Sequence, residues 1–217
     1  MAETPPKLPI PMLLMGFVLL LASLCLVGLL SVAERKSSSL PVYGQIADFT
    51  LTNQDGQATT LADLTNRVWV ADIIFTRCAG PCPRMTAQMK SLQDALPQDS
   101  DAKLVTLTTD PNYDSPKILK RYGERFGANF DRWIFLTGTE NEIAGLAAAS
   151  LKLGATPIAP SDRKDPVDLF IHTTIFVVVD KHARMRGIFQ TGGQDVDWQN
   201  TVRPNLLATI RQLERDP

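Results

Sequence analysis

Apolar and polar positions divide the 217-residue chain into three regimes. From Met12 to Ala33 it reads MLLMGFVLLLASLCLVGLLSVA, without a charge. At ~1.5 Å rise per residue this run spans about 33 Å as a helix, enough for a ~30 Å hydrocarbon core. Residues 34–44 are polar and serine-rich and read as a tether. From residue 45 to 217 short apolar runs alternate with amphipathic stretches, as in one globular domain. The segment 1–11 ahead of the apolar run is a short tail.

Within the domain the periodicity switches repeatedly between two and 3.6. Phe49–Leu51 and Ala58–Leu61 flank Asn53-Gln54-Asp55-Gly56, which predicts a hairpin turned by Asp-Gly. Val68–Phe75, VWVADIIF, is nearly continuous in apolar character, as expected of a central strand. Met85, Met89, Leu92 and Leu96 recur at helical spacing, which predicts core packing for both methionines. Lys103–Thr109 alternates as a strand. Ser115-Pro116 then opens a helix with Ile118, Leu119, Tyr122 and Phe126 on its apolar face. A strand is predicted over Arg132–Leu136, and a capping box over Thr139–Glu142 ahead of Ile143, Leu146 and Leu151. Residues 154–168, rich in Pro, Asp and Gly, predict a loop. Ile171–Val179 reads as a second strong strand, Asp180–Ala183 as a turn, and Met185–Phe189 as a further strand. A last helix carries Leu206, Leu207, Ile210 and Leu213. Strands alternating with helices predict an α/β fold, a central mixed sheet flanked by helices. The order strand, cysteine loop, helix is that of a thioredoxin-like domain.

Charge and composition narrow the functions. Lys plus Arg is 22 and Asp plus Glu is 23, so nothing electrostatic argues for nucleic acid. Ser31-Val32-Ala33 offers small residues of the kind a signal peptidase accepts, but the apolar run exceeds the ~7–15 residues of a cleaved core. A retained single-pass anchor is therefore expected over 12–33. Cys25 lies within it, and bulky Leu24 argues against a lipoprotein site. The leader has no Arg and contains Glu3, unlike a mitochondrial presequence, which favours a bacterial membrane protein.

The chemistry gathers in TRCAGPCPRM, residues 76–85, which holds Cys78 and Cys82. Cys82 falls at the start of a helix, where unpaired N–H groups favour negative charge and predict an easily ionised thiol. A thiolate is both nucleophile and metal ligand, so disulfide exchange and metal binding both stand at this point. A purely structural bridge across so short a loop adds little stability. The C-x-x-x-C spacing is one residue wider than the C-x-x-C of thioredoxin-type enzymes. That width lets both sulfurs converge on an ion, and a third ligand is then wanted. The chain has two histidines. His182, in KHAR, reads as an exposed turn residue. His172 opens the strand predicted to neighbour the one that ends in the cysteine loop, and reads equally as ligand or as half-buried histidine.

The soluble part resembles the SCO/SenC family, membrane-anchored copper chaperones for cytochrome c oxidase assembly. The likeness runs from about Ile46 onward. It rests on the hairpin and strand DFTLTNQDGQATTLADLTNRVWVADIIFT, on CAGPCP, on LTTDPNYDSPKILKRY with Asp110, Pro111 and Asp114, and on FIHTTIFVVVDKHARMRGIF. The resemblance implies copper, as Cu(I) or Cu(II), at Cys78, Cys82 and His172, in keeping with thiolate softness and the general suitability of imidazole. It implies a domain outside the cytoplasm on a bacterial inner membrane. The implied partners are an oxidase subunit with a copper site, and another copper chaperone or a thioredoxin-like reductase. Ala79 stands where many members have proline, and Ile171 where the family often has Asp. Asp110 and Asp114 read as a partner contact, a loop brace or a strand-to-helix turn. A thiol-disulfide oxidoreductase using Cys78 and Cys82 is the competing reading. Against it, Ile171-His172-Thr173-Thr174 lacks the proline such enzymes carry there. A peroxidase supported by Thr76 and Arg77 would leave the second cysteine and His172 without a role.

Overall fold

The computed structural model describes Met15 and residues 19–25, 40–163 and 169–216. Side chains of Pro160, Ile171 and His172 lie outside that description. The chain separates into two compact units, residues 1–40 and 41–217. In the first, residues 19–25 are helical. Most of the predicted 12–33 anchor lies outside the described residues, and among those described no helix is long and apolar enough to cross a membrane.

The second unit is built on an eight-stranded mixed sheet in the order β1-β10-β9-β4-β5-β6-β2-β3. These strands are β1 (Gly44–Gln45), β2 (Thr50–Asn53), β3 (Ala58–Thr60), β4 (Trp69–Ile74), β5 (Lys103–Thr108), β6 (Trp133–Thr137), β9 (Ile175–Val179) and β10 (Arg184–Gln190). The helices are α1 (Leu61–Leu64), α2 (Cys82–Ala95), α3 (Pro116–Arg125), α4 (Glu140–Ala144) and α5 (Arg203–Arg215). Strands β4, β5 and β6 are parallel, and β9 runs antiparallel to β4. All six residues of β4 are buried, which is why its sequence is almost unbroken in apolar character.

The two faces of β4 serve different layers. Trp69, Ala71 and Ile73 join a cluster with Leu61 and Leu64 of α1 and Ile143 of α4. Helices α2, α3 and α5 lie on the other side. There Met85, Met89 and Leu92 are fully buried, and Tyr122 packs edge-on against Phe135 of β6 at 6.4 Å. The methionines are thus core residues, as their spacing predicts.

Local signals account for most boundaries. Gly56 takes φ +78° in the β2–β3 turn, and Asn53 Oδ1 accepts the Asp55 and Gln57 amides. Ser115 caps α3 ahead of Pro116, where a missing N–H removes no helix bond. Thr139 and Glu142 form the predicted capping box of α4, and the helix then widens into a π-wound turn over Gly145–Ser150. One short helix escapes the periodicity. The predicted second arm of the hairpin ends at Thr60, where a Thr60–Asp63 capping box turns Leu61 into α1.

The predicted strand Ile171–Val179 is two strands. Residues 175–179 form β9 in the main sheet, while β8 (Phe170–His172) leaves it and pairs antiparallel with β7 (Ala155–Pro157). The apolar pattern is continuous, but β4 offers ladder partners only as far as Ala71↔Val177. Part of the predicted 154–168 loop is therefore β7, followed by a 3₁₀ turn at Pro160–Asp162. Residues 164–168 lie outside the described part.

Candidate functional site

The cysteine loop is the exit from β4. After Phe75 the chain turns, with Cys78 N–H donating to Phe75 O at 3.2 Å. Pro81 caps α2, and Cys82 is its first residue. Pro83 falls in the first turn, where its missing donor costs nothing. Ala79 and Gly80 are exposed, Cys78 is half-buried, and Cys82 is fully buried. Neither cysteine forms a disulfide.

The two thiols are in hydrogen-bond contact, and this dominates the acidity of Cys82. The bond to Cys78 is the largest influence on Cys82 and pushes its ionisation far above that of an ordinary thiol; burial adds to it, and a backbone hydrogen bond at Phe75 opposes it. The helix start therefore does not make Cys82 easily ionised. Loss of solvent and a neighbouring sulfur outweigh the favourable end of the helix. Cys82 therefore stays a protonated thiol, and the more accessible Cys78 is the side from which chemistry starts.

The segment before Cys78 is braced from β5 and the loop after it. Asp114 is fully buried. It accepts the Thr76 amide at 3.0 Å and the hydroxyls of Thr76 and Thr108. Arg77 donates to Asp110 Oδ2 through two nitrogens, at 3.1 and 2.5 Å, and its guanidinium lies 4.0 Å over the Tyr113 ring. Asp110 and Asp114 thus shape the loop. Thr76 and Arg77, the faint peroxidase signal, are committed to these two carboxylates. Beside the loop lies a cavity of about 510 Å³, lined by Arg77, Asp110, Ile143, Ala147, Leu153 and Phe170 among others.

His172 sits in β8, its backbone opposite Ala155. The Phe170 ring meets the Phe75 ring at 5.4 Å, which brings β8 to the end of β4 where the cysteine loop begins. Its imidazole lies outside the described atoms. Among the described residues no three His, Cys, Asp or Glu side chains gather to hold a metal. His182 is an exposed turn residue as predicted, its amide donating to Asp180 Oδ1 at 2.9 Å. The donor chemistry of the loop, two adjacent reduced sulfurs of which Cys78 is partly exposed beside Ala79 and Gly80, suits a soft metal ion.

Two contributions escape sequence reasoning. The Asp114–Thr76 brace joins residues 38 apart and has no periodic signature. Asp72, buried in the middle of β4, could have been noticed as the one charge inside VWVADIIF.

Comparison with known proteins places this geometry. The chain is 37% identical over 141 residues to the SCO1 protein homolog of Bacillus subtilis (strain 168), covering 64% of this chain and 70% of the relative. It superposes with TM-score 0.67 and 29% identity on BsSco, a member of the Sco family of cytochrome c oxidase assembly proteins in which a disulfide switch was identified; 83% of this chain and all of that one are covered. Copper-bound ScoI of Bradyrhizobium japonicum shares the fold, with TM-score 0.64 at 22% identity, over 78% of this chain and 99% of that one. The SCO1/SenC family model matches residues 41–204, and the chain belongs to that family.

Proposed function

We propose that this protein is a membrane-anchored copper-binding assembly factor. It delivers copper to a cytochrome c oxidase subunit or prepares that subunit's copper site. The observation that carries this reading is the pair of adjacent reduced thiols, Cys78 and Cys82, at the end of the central strand of a SCO1/SenC domain. His172 is the third ligand, because its strand reaches the same end of β4 through the Phe170–Phe75 contact.

Two thiolates and an imidazole suit copper, and three ligands leave a position through which the ion is handed on. A structural zinc site would want a fourth. The residues of the chain supply the rest. Asp110 and Asp114 hold Thr76 and Arg77 so that Cys78 faces outward. Cys82 remains within the core and keeps its proton until an ion displaces it. The 12–33 segment anchors the domain on the extracytoplasmic face of a bacterial inner membrane, where a thioredoxin-like reductase or a second copper chaperone keeps or loads the thiols.

A second reading draws on the sulfur–sulfur contact itself. Cys78 and Cys82 would pass two electrons and two protons to a partner's disulfide, becoming a disulfide while the partner becomes a dithiol. Its support is the contact between the two thiols and the switch identified in BsSco.

The deciding experiment is Cu(I) titration of the reduced protein, without oxygen, against a competing chelator. Cys78→Ala and Cys82→Ala are expected to lose more than about 100-fold in affinity, beyond the ~10–100-fold cost of outer-shell changes. His172→Ala binding as tightly as the wild type would reject the three-ligand site. Rapid reduction of an insulin disulfide that survives His172→Ala would favour the second reading.

A further inference from the structure

The cavity beside the cysteine loop, about 510 Å³, falls in the ~300–1,000 Å³ range of small-molecule pockets. Its walls come from the ends of β4 and β5, from α4 and the π-wound turn after it, and from β7 and β8. The room has a cause in the sequence. Ala144, Ala147 and Ala148 line one side, and their methyl groups leave open the volume that longer side chains would fill. Ile73, Ile143 and Leu153, all buried, give the floor an aliphatic surface.

Most charged side chains around the cavity are already answered. Arg77 donates to Asp110 Oδ2 through two nitrogens, and Glu140 Oε1 accepts Asn112 Nδ2–H at 2.6 Å. Arg163 differs. It is half-buried in the same wall, and its Nε donates to Ile158 O at 3.1 Å. Ile158 N–H donates in turn to Leu169 O at 2.9 Å, so the side chain is held on the β7–β8 hairpin. Among the described residues, both terminal nitrogens of Arg163 are without a hydrogen-bond partner and no carboxylate pairs with it. A half-buried cation without a counter-charge favours an anion brought from outside. The Thr109 hydroxyl, also in the cavity wall, is buried with no hydrogen-bond partner among the described residues. A buried polar atom in that state calls for a partner the protein does not itself supply.

We propose that this cavity binds a small carboxylic acid with an apolar body, its carboxylate gripped by the terminal nitrogens of Arg163. The site is separate from the thiols and stands whether or not they hold copper. Two parallel N–H donors of a guanidinium match the two oxygens of a carboxylate, and such charge-assisted bonds are about twice as strong as neutral ones. The aliphatic floor removes the rest of the molecule from water. A single negative charge suits the cavity. A phosphate dianion would exceed the one unpaired cation and would face Glu140 in the same wall. A free acid and the carboxyl terminus of a peptide offer the same group, and the test separates them.

The test uses the full chain in detergent and isothermal titration calorimetry at about pH 7, where the acids are ionised. Cyclohexylacetate represents the free acid and N-acetyl-glycyl-leucine the peptide end, each with its amide as neutral counterpart. At least one acid is expected to bind with a Kd below about 1 mM, the tighter naming the source, and its amide to bind about tenfold more weakly or less still. Arg163→Gln is expected to weaken the acid about tenfold or more and to leave the amide within about threefold. Ala148→Phe adds bulk from an exposed position that lines the cavity, and is expected to weaken acid and amide alike. Thermal melting shows whether each variant is folded, and if Arg163→Gln is not, Ala148→Phe and the amides decide. Binding of neither acid up to about 10 mM overturns the proposal. So does an amide that binds as tightly as its acid, because the carboxylate would then go unread. So does a folded variant of either kind that loses nothing, because the acid would then bind elsewhere.

Discussion

Removing the Asp114 carboxylate is the sharpest perturbation of the cysteine loop that leaves both thiols in place. Asp114 is fully buried and accepts from the Thr76 amide, the Thr76 hydroxyl and the Thr108 hydroxyl. In Asp114→Ala all three donors lose their acceptor in the interior. A buried donor left unsatisfied costs about 1–3 kcal/mol. The hydroxyls can turn to other acceptors, and the mutation also relieves the cost of burying the carboxylate. A net loss of about 3 kcal/mol is expected. Urea unfolding followed by tryptophan fluorescence reads it directly. Local loosening has its own signature, because Thr76 is two residues from Cys78. Iodoacetamide should label Cys78 several-fold faster in Asp114→Ala under native conditions. A loss below about 1 kcal/mol with unchanged labelling would refute the brace. The isosteric Asp114→Asn keeps one acceptor oxygen and adds a pH test. Burial, ahead of the opposing donations from Thr108 and Thr76, holds the Asp114 carboxyl above its ordinary value of 3.8. The folded state therefore binds this proton more tightly than the unfolded chain. Its contribution to stability is present at acid pH and is lost as pH rises through the folded-state value. Wild type should lose stability relative to Asp114→Asn as pH rises from about 4 to about 7, and a difference that does not change would count against a buried titrating carboxyl.

Other expectations concern separate parts of the molecule. Arg186→Met should cost about 1–3 kcal/mol in urea unfolding, because it removes a buried 2.7 Å charge-assisted bond to Asp180, which keeps Arg184 and the His182 and Arg184 amides as partners. Burial opposes ionisation of Asp180, but Arg186, Arg184 and the His182 amide overcome it and hold the carboxyl below its ordinary value of 3.8. Its stabilisation is present above that value and is lost as pH falls through the folded-state value, so acid titration of unfolding should show a steeper loss below about pH 4 in the wild type than in Asp180→Asn. Gly123→Ala would place a Cβ 2.9 Å from the rings of Phe130 and Phe135, and should lower stability by about 1–3 kcal/mol despite the better helix propensity of alanine. In single-cysteine variants Cys78, half-exposed, should react with iodoacetamide faster than buried Cys82, and equal rates would contradict the burial of the second thiol.

Much of this fold is local and therefore legible in the sequence. The Asp-Gly turn, the Ser115-Pro116 start of α3 and the Thr139–Glu142 box each satisfy backbone groups with neighbours a few residues away. The apolar run of β4 states that both of its faces are covered. Cys78 and Cys82 announce themselves because four residues of spacing across a helix start leave few alternatives. The split of the 171–179 run is different. Whether an apolar stretch continues a ladder depends on whether a neighbouring strand still offers partners, and β4 stops doing so beyond Ala71.

The same distinction governs the site. The sequence by itself determined the two sulfurs, the soft-metal or redox chemistry open to them, and the identity of His172 as the histidine worth attention. Tertiary structure alone decided how acidic Cys82 is, because its contact with Cys78 and its burial override the helix start that local position suggests. It alone gave Asp114 and Asp110 their task, by bringing the loop after β5 against residues 33 to 38 positions earlier. And it alone put Asp72 on the face of the sheet opposite Trp69, Ala71 and Ile73, bonded to Thr106. Acidity, bracing and buried charge depend on what surrounds a group in three dimensions, and chain spacing carries that information only where the surroundings are local.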